Sequence, residues 1–229
     1  FESVMSKVWN DKIFKKIQLN VDKASKKLAE ERGSCPDAEE YGYKERFSNK
    51  TAIAPTASIS IICGGASPGV EPVAANSYTH KTLSGSYNVR NRYLKKVLQK
   101  YGKDDDETWS TITTNQGSVE HLDFLTKNEK DVFKTAFELD QKWIVELGAG
   151  RTPYVSQAQS INIFLPADVH KKELHQIHFQ AWKKGLKSLY YCRSKSIQRA
   201  ENVNNGLSTS ATIKTSKETE DYEECLSCQ

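Results

Sequence analysis

The sequence has no apolar run close to the roughly 20 residues that a membrane-spanning helix requires, and its start lacks the pattern of a signal peptide. Cysteine is scarce: the five cysteines are an odd number, too scattered for a secreted disulfide framework. The charges are nearly balanced, with 33 basic residues against 29 acidic ones and a net charge of +4. These absences predict a globular, cytoplasmic protein with neither a membrane nor a nucleic acid as its partner.

Motifs for nucleotides and metals are also missing. Neither a GxGxxG nor a Walker pattern occurs, so no nucleotide site follows from motif rules. A zinc site would need a second ligand pair beside Cys225 and Cys228, and the other cysteines do not provide one. His175 and His178 would need a third ligand, and a partly exposed helix face is the better interpretation. The sequence predicts no metal site.

Apolar residues recur at spacings of three and four in several segments, a pattern that predicts amphipathic helices. The predicted helices cover 2–31, 89–101, 106–114, 127–139, 140–147 and 167–184, with Thr126 as the N-cap of the fourth. Strands are predicted at 51–62, with an interruption at Pro55, and at 160–165 and 188–193. The last two strands flank a helix, which predicts a right-handed crossover between parallel strands and an α/β fold class.

Composition divides the chain into three parts. Residues 1–50 are predicted to form a helix followed by a polar loop, and residues 51–198 contain all the predicted strands. Glycine, proline and serine dominate 63–88, which indicates a functional loop. Residues 199–229 are almost devoid of apolar side chains before Tyr222, so they cannot bury enough surface to offset the entropy of ordering. They are predicted to form a flexible tail.

A first candidate site lies at Pro55, Thr56, Ala57, Ser58 and Ile59. A chain that turns through proline and small hydroxyl residues exposes several backbone N–H groups together, and neighbouring hydroxyls add donors that suit a phosphate. An ordinary polar bend is the alternative, and composition alone favours the bend.

A second candidate is the pair Tyr190 and Tyr191, in a predicted strand. Phenol can lose an electron and a proton, and it stays neutral at pH 7 because its pKa is near 10. Two adjacent phenols could therefore act as a relay. Core packing is the commoner role for strand tyrosines, whose side chains alternate between the two faces of the sheet.

The third candidate is the dithiol formed by Cys225 and Cys228, close to the end of the predicted tail. Two intervening residues let the thiols close a small ring reversibly, and the preceding Glu223 and Glu224 disfavour the thiolate form. The position predicts an accessible dithiol that exchanges with other thiols. An inert surface dithiol is the alternative.

Taken in order, several segments resemble the large, catalytic subunit of class I ribonucleotide reductase, particularly its bacterial and phage forms. The resemblance extends from about Lys26 to Gln229. It is carried by LAEERGSCPDA (28–38), TAIAPTASISIICGGASPGVEP (51–72), YTHKTLSGSYNVRNRYL (78–94), GRTPYVSQAQSINIFL (150–165), GLKSLYYCRS (185–194) and the terminal CLSC.

This resemblance implies an architecture. Residues 51–198 would be the C-terminal part of a ten-stranded α/β barrel, which the enzyme of this family uses to reduce ribonucleoside diphosphates by a radical mechanism. Residues 1–50 would belong to a small attached helical subdomain, and residues 199–229 would be a flexible redox-active tail.

The resemblance also implies roles for the three candidate sites. The loop Pro55–Ile59 would hold the substrate diphosphate through backbone N–H groups and the Thr56 and Ser58 hydroxyls. Tyr190 and Tyr191 would be a stacked pair that passes a radical equivalent from the diiron-tyrosyl small subunit. Cys225 and Cys228 would re-reduce an active-site disulfide and then exchange with thioredoxin or glutaredoxin, with no cofactor bound directly to this chain.

The family's thiyl-forming cysteine, barrel cysteine pair and allosteric sites are encoded ahead of the matched region. Cys35, Cys63 and Cys192 lie in the wrong places to replace them, and the chain begins with Phe1. We therefore expect a fragment or a product of a split gene that is inactive without the N-terminal portion of the large subunit. Two alternatives are a separate thiol–disulfide exchange protein and a phosphate-ligand binding module.

Overall fold

The computed structural model of the chain describes residues 1–64, 66–82 and 85–194. The predicted tail 199–229, with Cys225 and Cys228, lies outside the described residues. The helices are α1 (Val4–Arg32), α2 (Pro36–Glu40), α3 (Ala57–Ile62), α4 (Arg92–Lys100), α5 (Asp106–Thr114), α6 (Lys127–Val132), α7 (Gln141–Arg151) and α8 (Lys171–Lys183), with a 3₁₀ turn at Thr152–Tyr154. The strands are β1 (Ser77–Thr82), β2 (Gly85–Arg90), β3 (Ile163–Leu165) and β4 (Cys192–Ser194).

The long helix α1 begins at Val4, where the Ser3 hydroxyl caps it by accepting from the Ser6 N–H, and it ends at Arg32, followed by Gly33 at a φ of +80°. The helix predicted at 2–31 is therefore confirmed. It lies along α7, where Asn10 donates to the Leu147 carbonyl at 3.1 Å. None of the helices in the described residues is long and apolar enough to cross a membrane.

The strand β3 pairs in parallel with β4, with Ile163 opposite Cys192, and helix α8 connects them. The predicted parallel arrangement is confirmed. Strand β4 begins later than predicted, at Cys192, although residues before it already bond to the neighbouring segment: the Tyr190 N–H donates to the Ile161 carbonyl at 2.8 Å. The described residues thus form a mixed arrangement of helices and short strands.

The strand predicted across 51–62 is wrong. Only Ile53 pairs, in a single parallel bridge to Gln159, and the residues after Thr56 form the helix α3. Pro55 has no N–H to donate to a sheet ladder, and the Ser60 N–H and hydroxyl instead bond to Thr56 and Ala57 carbonyls within the turn. A short apolar run does not by itself distinguish a strand from a helix.

The stretch 63–88, predicted to be a loop, contains part of an antiparallel hairpin. Strand β1 pairs with β2 from Ser77↔Arg90 to Thr82↔Gly85. The following helix therefore begins at Arg92, not at 89, because Asn91 caps it by accepting from the N–H groups of Tyr93 and Leu94.

The remaining helices differ from prediction mainly at their ends. Thr126 caps α6 in a capping box with Glu129, as predicted, but that helix ends at Val132. Helix α7 continues through both of its glycines to Arg151. Gly148 packs so closely on Ile161 that a Cβ atom at position 148 would lie 2.6 Å from Ile161 Cδ1. The last predicted helix begins at Lys171.

The buried apolar residues form two clusters. One lies around α4 and α5 and contains Leu94, Leu98, Trp109, Ile112, Val119, Leu122, Leu125 and Phe133. The other lies between α7, β3 and α8 and contains Leu139, Ile144, Val145, Ile161, Ile163, Leu165, Ile177 and Ala181. The buried Asn76 fixes the hairpin to the first cluster by donating to the carbonyls of Gly117 and Phe133, at 2.9 and 2.7 Å.

Candidate functional site

The two adjacent phenols come together in the structure. The ring centroids of Tyr190 and Tyr191 are 4.1 Å apart with an interplanar angle of 55°, and their hydroxyl oxygens are 3.4 Å apart. Alternation along a strand would have separated the rings, but regular β4 begins only at Cys192. The Arg193 guanidinium lies 5.5 Å from the Tyr191 ring centroid. Both phenols are partly exposed.

The backbone that carries these tyrosines is held on the strand beside it. The Tyr190 N–H donates to the Ile161 carbonyl at 2.8 Å, and the Tyr191 carbonyl accepts from the Ile163 N–H at 2.9 Å. Because Ile161 and Ile163 are fully buried in the second apolar cluster, the tyrosine backbone is attached to a rigid part of the molecule.

The predicted phosphate loop forms the entrance to α3. Ala57, Ser58 and Ile59 occupy the first turn of that helix, where backbone N–H groups have no acceptor within the helix. The N–H and hydroxyl of Thr56 both donate to the Pro68 carbonyl, each at 2.9 Å. The Thr56 hydroxyl proton is therefore directed at the turn that follows, whereas Ser58 is exposed.

A buried carboxylate lies at the end of that turn. Glu71 is 4% exposed, and its Oε1 accepts from the Asn162 N–H at 2.6 Å, just ahead of β3. Its Oε2 lies 3.4 Å from the Asn162 side-chain nitrogen, and its carbonyl accepts from the Ser67 hydroxyl at 2.5 Å. Reasoning from the sequence did not single out Glu71, because nothing in its neighbourhood marks it as buried.

A buried guanidinium was missed as well. Arg151 is 4% exposed, and it donates to Gln159 at 3.0 Å and to Asn10 at 3.2 Å. Burial lowers the pKa of Arg151 to about 10, and the charge of Glu71 opposes that effect. Its hydrogen bonds link α1 to the segment ahead of β3, so it is a structural cation of the core.

The remaining candidates stay apart. On α8, His178 bonds to the Leu174 carbonyl at 2.8 Å, and His175 stacks on Phe179. Within residues 1–64, 66–82 and 85–194, no group of three or more histidine, cysteine, aspartate or glutamate residues could hold a metal ion. Cys35, Cys63 and Cys192 are free thiols.

Comparison with known proteins shows the family to which this chain belongs. The sequence profile of the family "Ribonucleotide reductase, barrel domain" matches residues 37–192, which include the loop Pro55–Ile59, Glu71 and both tyrosines. The chain belongs to this ribonucleotide reductase family. The match covers most of the described residues, so the segments singled out above are parts of a known type of domain.

Two relatives of the ribonucleotide reductase family illustrate the similarity. The chain is 47% identical over 207 residues to the ribonucleoside-diphosphate reductase large subunit of Invertebrate iridescent virus 6, covering 89% of this chain and 21% of that protein. It is 35% identical over 193 residues to the Caenorhabditis elegans ribonucleoside-diphosphate reductase large subunit, covering 80% and 24%.

A solved structure is also similar. The alpha subunit of the Actinobacillus ureae class Id ribonucleotide reductase aligns with a TM-score of 0.78 at 37% sequence identity, over 90% of this chain and 36% of that one. The chain spans about a fifth to just over a third of the length of these three proteins.

Proposed function

We propose that this chain supplies the C-terminal part of a ribonucleoside-diphosphate reductase large subunit, which reduces ribonucleoside diphosphates to deoxyribonucleoside diphosphates by a radical mechanism. It works in complex with the N-terminal portion of the large subunit and with a small subunit that carries a diiron-tyrosyl radical. The observation that carries the proposal is the contact between the Tyr190 and Tyr191 rings in a chain of this family. Residues 51–198 act as the barrel part, with 1–50 attached and 199–229 as the redox tail.

In this proposal the loop Pro55–Ile59 binds the substrate diphosphate. The first-turn N–H groups of Ala57, Ser58 and Ile59 point out of the N-terminus of α3, where the helix dipole favours an anion. The exposed Ser58 hydroxyl adds a donor. The Thr56 hydroxyl donates to the Pro68 carbonyl, a bond that also fixes the loop.

Tyr190 and Tyr191 pass a radical equivalent between the small subunit and the active site. With 3.4 Å between the hydroxyl oxygens, a proton can move between the two phenols while an electron moves between the rings in contact. The exposed edges of both rings allow the small subunit to deliver the radical equivalent and the active site to receive it.

Cys225 and Cys228 complete the cycle by re-reducing the active-site disulfide that each turnover leaves. The tail dithiol gives two electrons and two protons to that disulfide and becomes a disulfide itself. Thioredoxin or glutaredoxin then reduces the tail disulfide by exchange.

Association with the rest of the large subunit is supported by apolar surface on α3. Ile59, Ile61 and Ile62 are 58%, 63% and 83% exposed on this short helix, and Ile59 and Ile62, three residues apart, share one face. Burying each exposed isoleucine side chain would contribute about 1.5–3 kcal/mol. An apolar patch beside a polar loop marks an interaction site, and we assign it to the N-terminal portion.

The test is reconstitution. The chain, the N-terminal portion of the relatives' large subunit and a small subunit are purified separately, mixed and assayed for deoxyribonucleoside diphosphate with a small dithiol as reductant. Turnover by the full mixture, and by none of the components alone, is the expected result. A chain that binds phosphate compounds by itself but never joins the complex would instead be a binding module.

A further inference from the structure

Hydrogen bonds linked by short stretches of backbone join the proposed substrate loop to the tyrosine pair. It begins at Thr56, whose N–H and hydroxyl donate to the Pro68 carbonyl. The turn that follows is closed by the bond from the Ser67 hydroxyl to the Glu71 carbonyl, at 2.5 Å. The Glu71 carboxylate then accepts from Asn162, at 2.6 Å from the backbone N–H.

From Asn162 the series continues to both tyrosines. Its neighbours on either side are Ile161 and Ile163, and these two residues make the backbone hydrogen bonds to Tyr190 and Tyr191. Among the described residues, the hydrogen bonds between the turn 66–71 and the segment 161–163 are all made by the Glu71 side chain.

We propose that Glu71 is a positioning residue that holds the substrate loop at a fixed position relative to the tyrosine relay. This inference rests on the proposed function. Its carboxylate does not touch substrate. It fixes the position of the loop relative to the phenols, so that the diphosphate and the radical route are held in one geometry.

The geometry of the contact suits a carboxylate. Both Glu71 oxygens face N–H donors of Asn162, and an ionised carboxylate can accept at both positions. A glutamine could keep one of these bonds, but its NH₂ group could be paired only if the Asn162 amide turned its unpartnered oxygen toward it, and neither bond would then be charge-assisted. A hydrogen bond between an N–H donor and a buried carboxylate is also roughly twice as strong as a neutral one.

Gly69 shows how closely the turn fits around this carboxylate. A Cβ atom at position 69 would lie 2.3 Å from Glu71 Oε2, closer than real Cβ contacts. The backbone at Gly69 has no left-handed conformation that demands glycine, so the cost of a side chain there comes from the displaced carboxylate. Gly69→Ala therefore moves the Glu71 carboxylate without removing it.

The first experiment measures kcat and KM for a ribonucleoside diphosphate in the reconstituted complex carrying Glu71→Gln. If the loop moves, substrate binding should weaken and KM should rise. If the relay moves away from the substrate, kcat should fall, for a combined loss of about tenfold to a hundredfold in kcat/KM. The control is Glu40→Gln, an exposed glutamate on α2, which should leave both constants unchanged.

A second set of variants separates positioning from folding. Gly69→Ala should also raise KM and lower kcat, whereas Gly69→Ala added to Glu71→Ala should have little further effect, since the group it displaces is gone. A simple loss of folded protein would lower the apparent kcat and leave KM unchanged.

The outcomes are distinguishable. An inactive wild-type complex would refute the proposed function, and this inference with it. An active wild-type complex in which Glu71→Gln leaves KM unchanged, or in which Gly69→Ala acts equally with and without the carboxylate, would overturn the positioning role alone.

Discussion

The hydroxyl oxygens of Tyr190 and Tyr191 lie 3.4 Å apart, although the two residues are adjacent in the chain. An extended strand would direct neighbouring side chains to opposite faces. Here the chain reaches the regular part of β4 only after Tyr191, and the two rings turn to the same side. The contact between these phenols is the structural basis for the proposed relay.

Replacing either phenol should stop the radical route. Tyr190→Phe or Tyr191→Phe, in the reconstituted complex, keeps the ring but removes the proton and raises the barrier to oxidation, so turnover should fall to background. Substrate affinity should stay nearly unchanged, because neither ring belongs to the phosphate loop. Tyr41→Phe, at a phenol that is 72% exposed on another part of the chain, is the control. Activity retained in both relay variants would remove the assignment.

The tail dithiol should matter only for repeated turnover. Cys225→Ser in the reconstituted complex should abolish steady-state activity with thioredoxin, because the single remaining tail thiol can form a mixed disulfide but cannot complete the two-electron reduction of the active-site disulfide. A single turnover, or turnover driven by a small dithiol, should persist. Product per enzyme is measured with each reductant, with Cys35→Ser as the matched control. Equal thioredoxin-driven rates for Cys225→Ser and wild type would contradict the tail's role.

An ion pair at the start of α1 predicts a pH-dependent stability. Glu2 accepts from Lys134 Nζ at 2.7 Å and from the Asp140 N–H at 2.8 Å. Burial raises the pKa of Glu2, but these two bonds and the nearby positive charges outweigh it, so the pKa lies below its ordinary value of 4.5. The stabilisation is therefore fully present above pH 4.5 and is lost as the pH falls through the lowered folded-state pKa.

The measurement is urea unfolding of the full chain as a function of pH. Glu2→Gln should lower the free energy of unfolding by about 1 kcal/mol at pH 7, and the difference from wild type should shrink at acidic pH. Glu30→Gln, at an exposed pair with Lys44, should change little. A Glu2→Gln effect that is the same at pH 7 and in acid would show that charge is not its cause.

The exposed face of α3 should govern association. Ile62→Ser, at a side chain that is 83% exposed, should weaken binding to the N-terminal portion of the large subunit, since the burial of about one isoleucine side chain would be lost. The dissociation constant should rise about tenfold or more, measured by titration calorimetry. Val132→Ser, on the exposed end of α6, should have no effect. Unchanged affinity of Ile62→Ser would place the interface elsewhere.

Local patterns in the sequence determined most of the helices. Apolar spacing predicted α1 and α5, and the Thr126 cap predicted the start of α6, because these signals act within a few residues of one another. The order of elements around α8 was sufficient to predict parallel β3 and β4. The resemblance in motif order identified the family that the comparisons then confirmed.

Only the tertiary structure decided the rest. The apolar run after Pro55 was predicted as a strand, but it forms α3, and the Thr56 N–H at its start bonds to the Pro68 carbonyl of a separate turn. The contact of the two phenols, and the buried carboxylate of Glu71 on the N–H of Asn162, depend on segments far apart in the chain. Which side chains meet, and which charges lose their water, follows from packing between elements and not from the residues next to them.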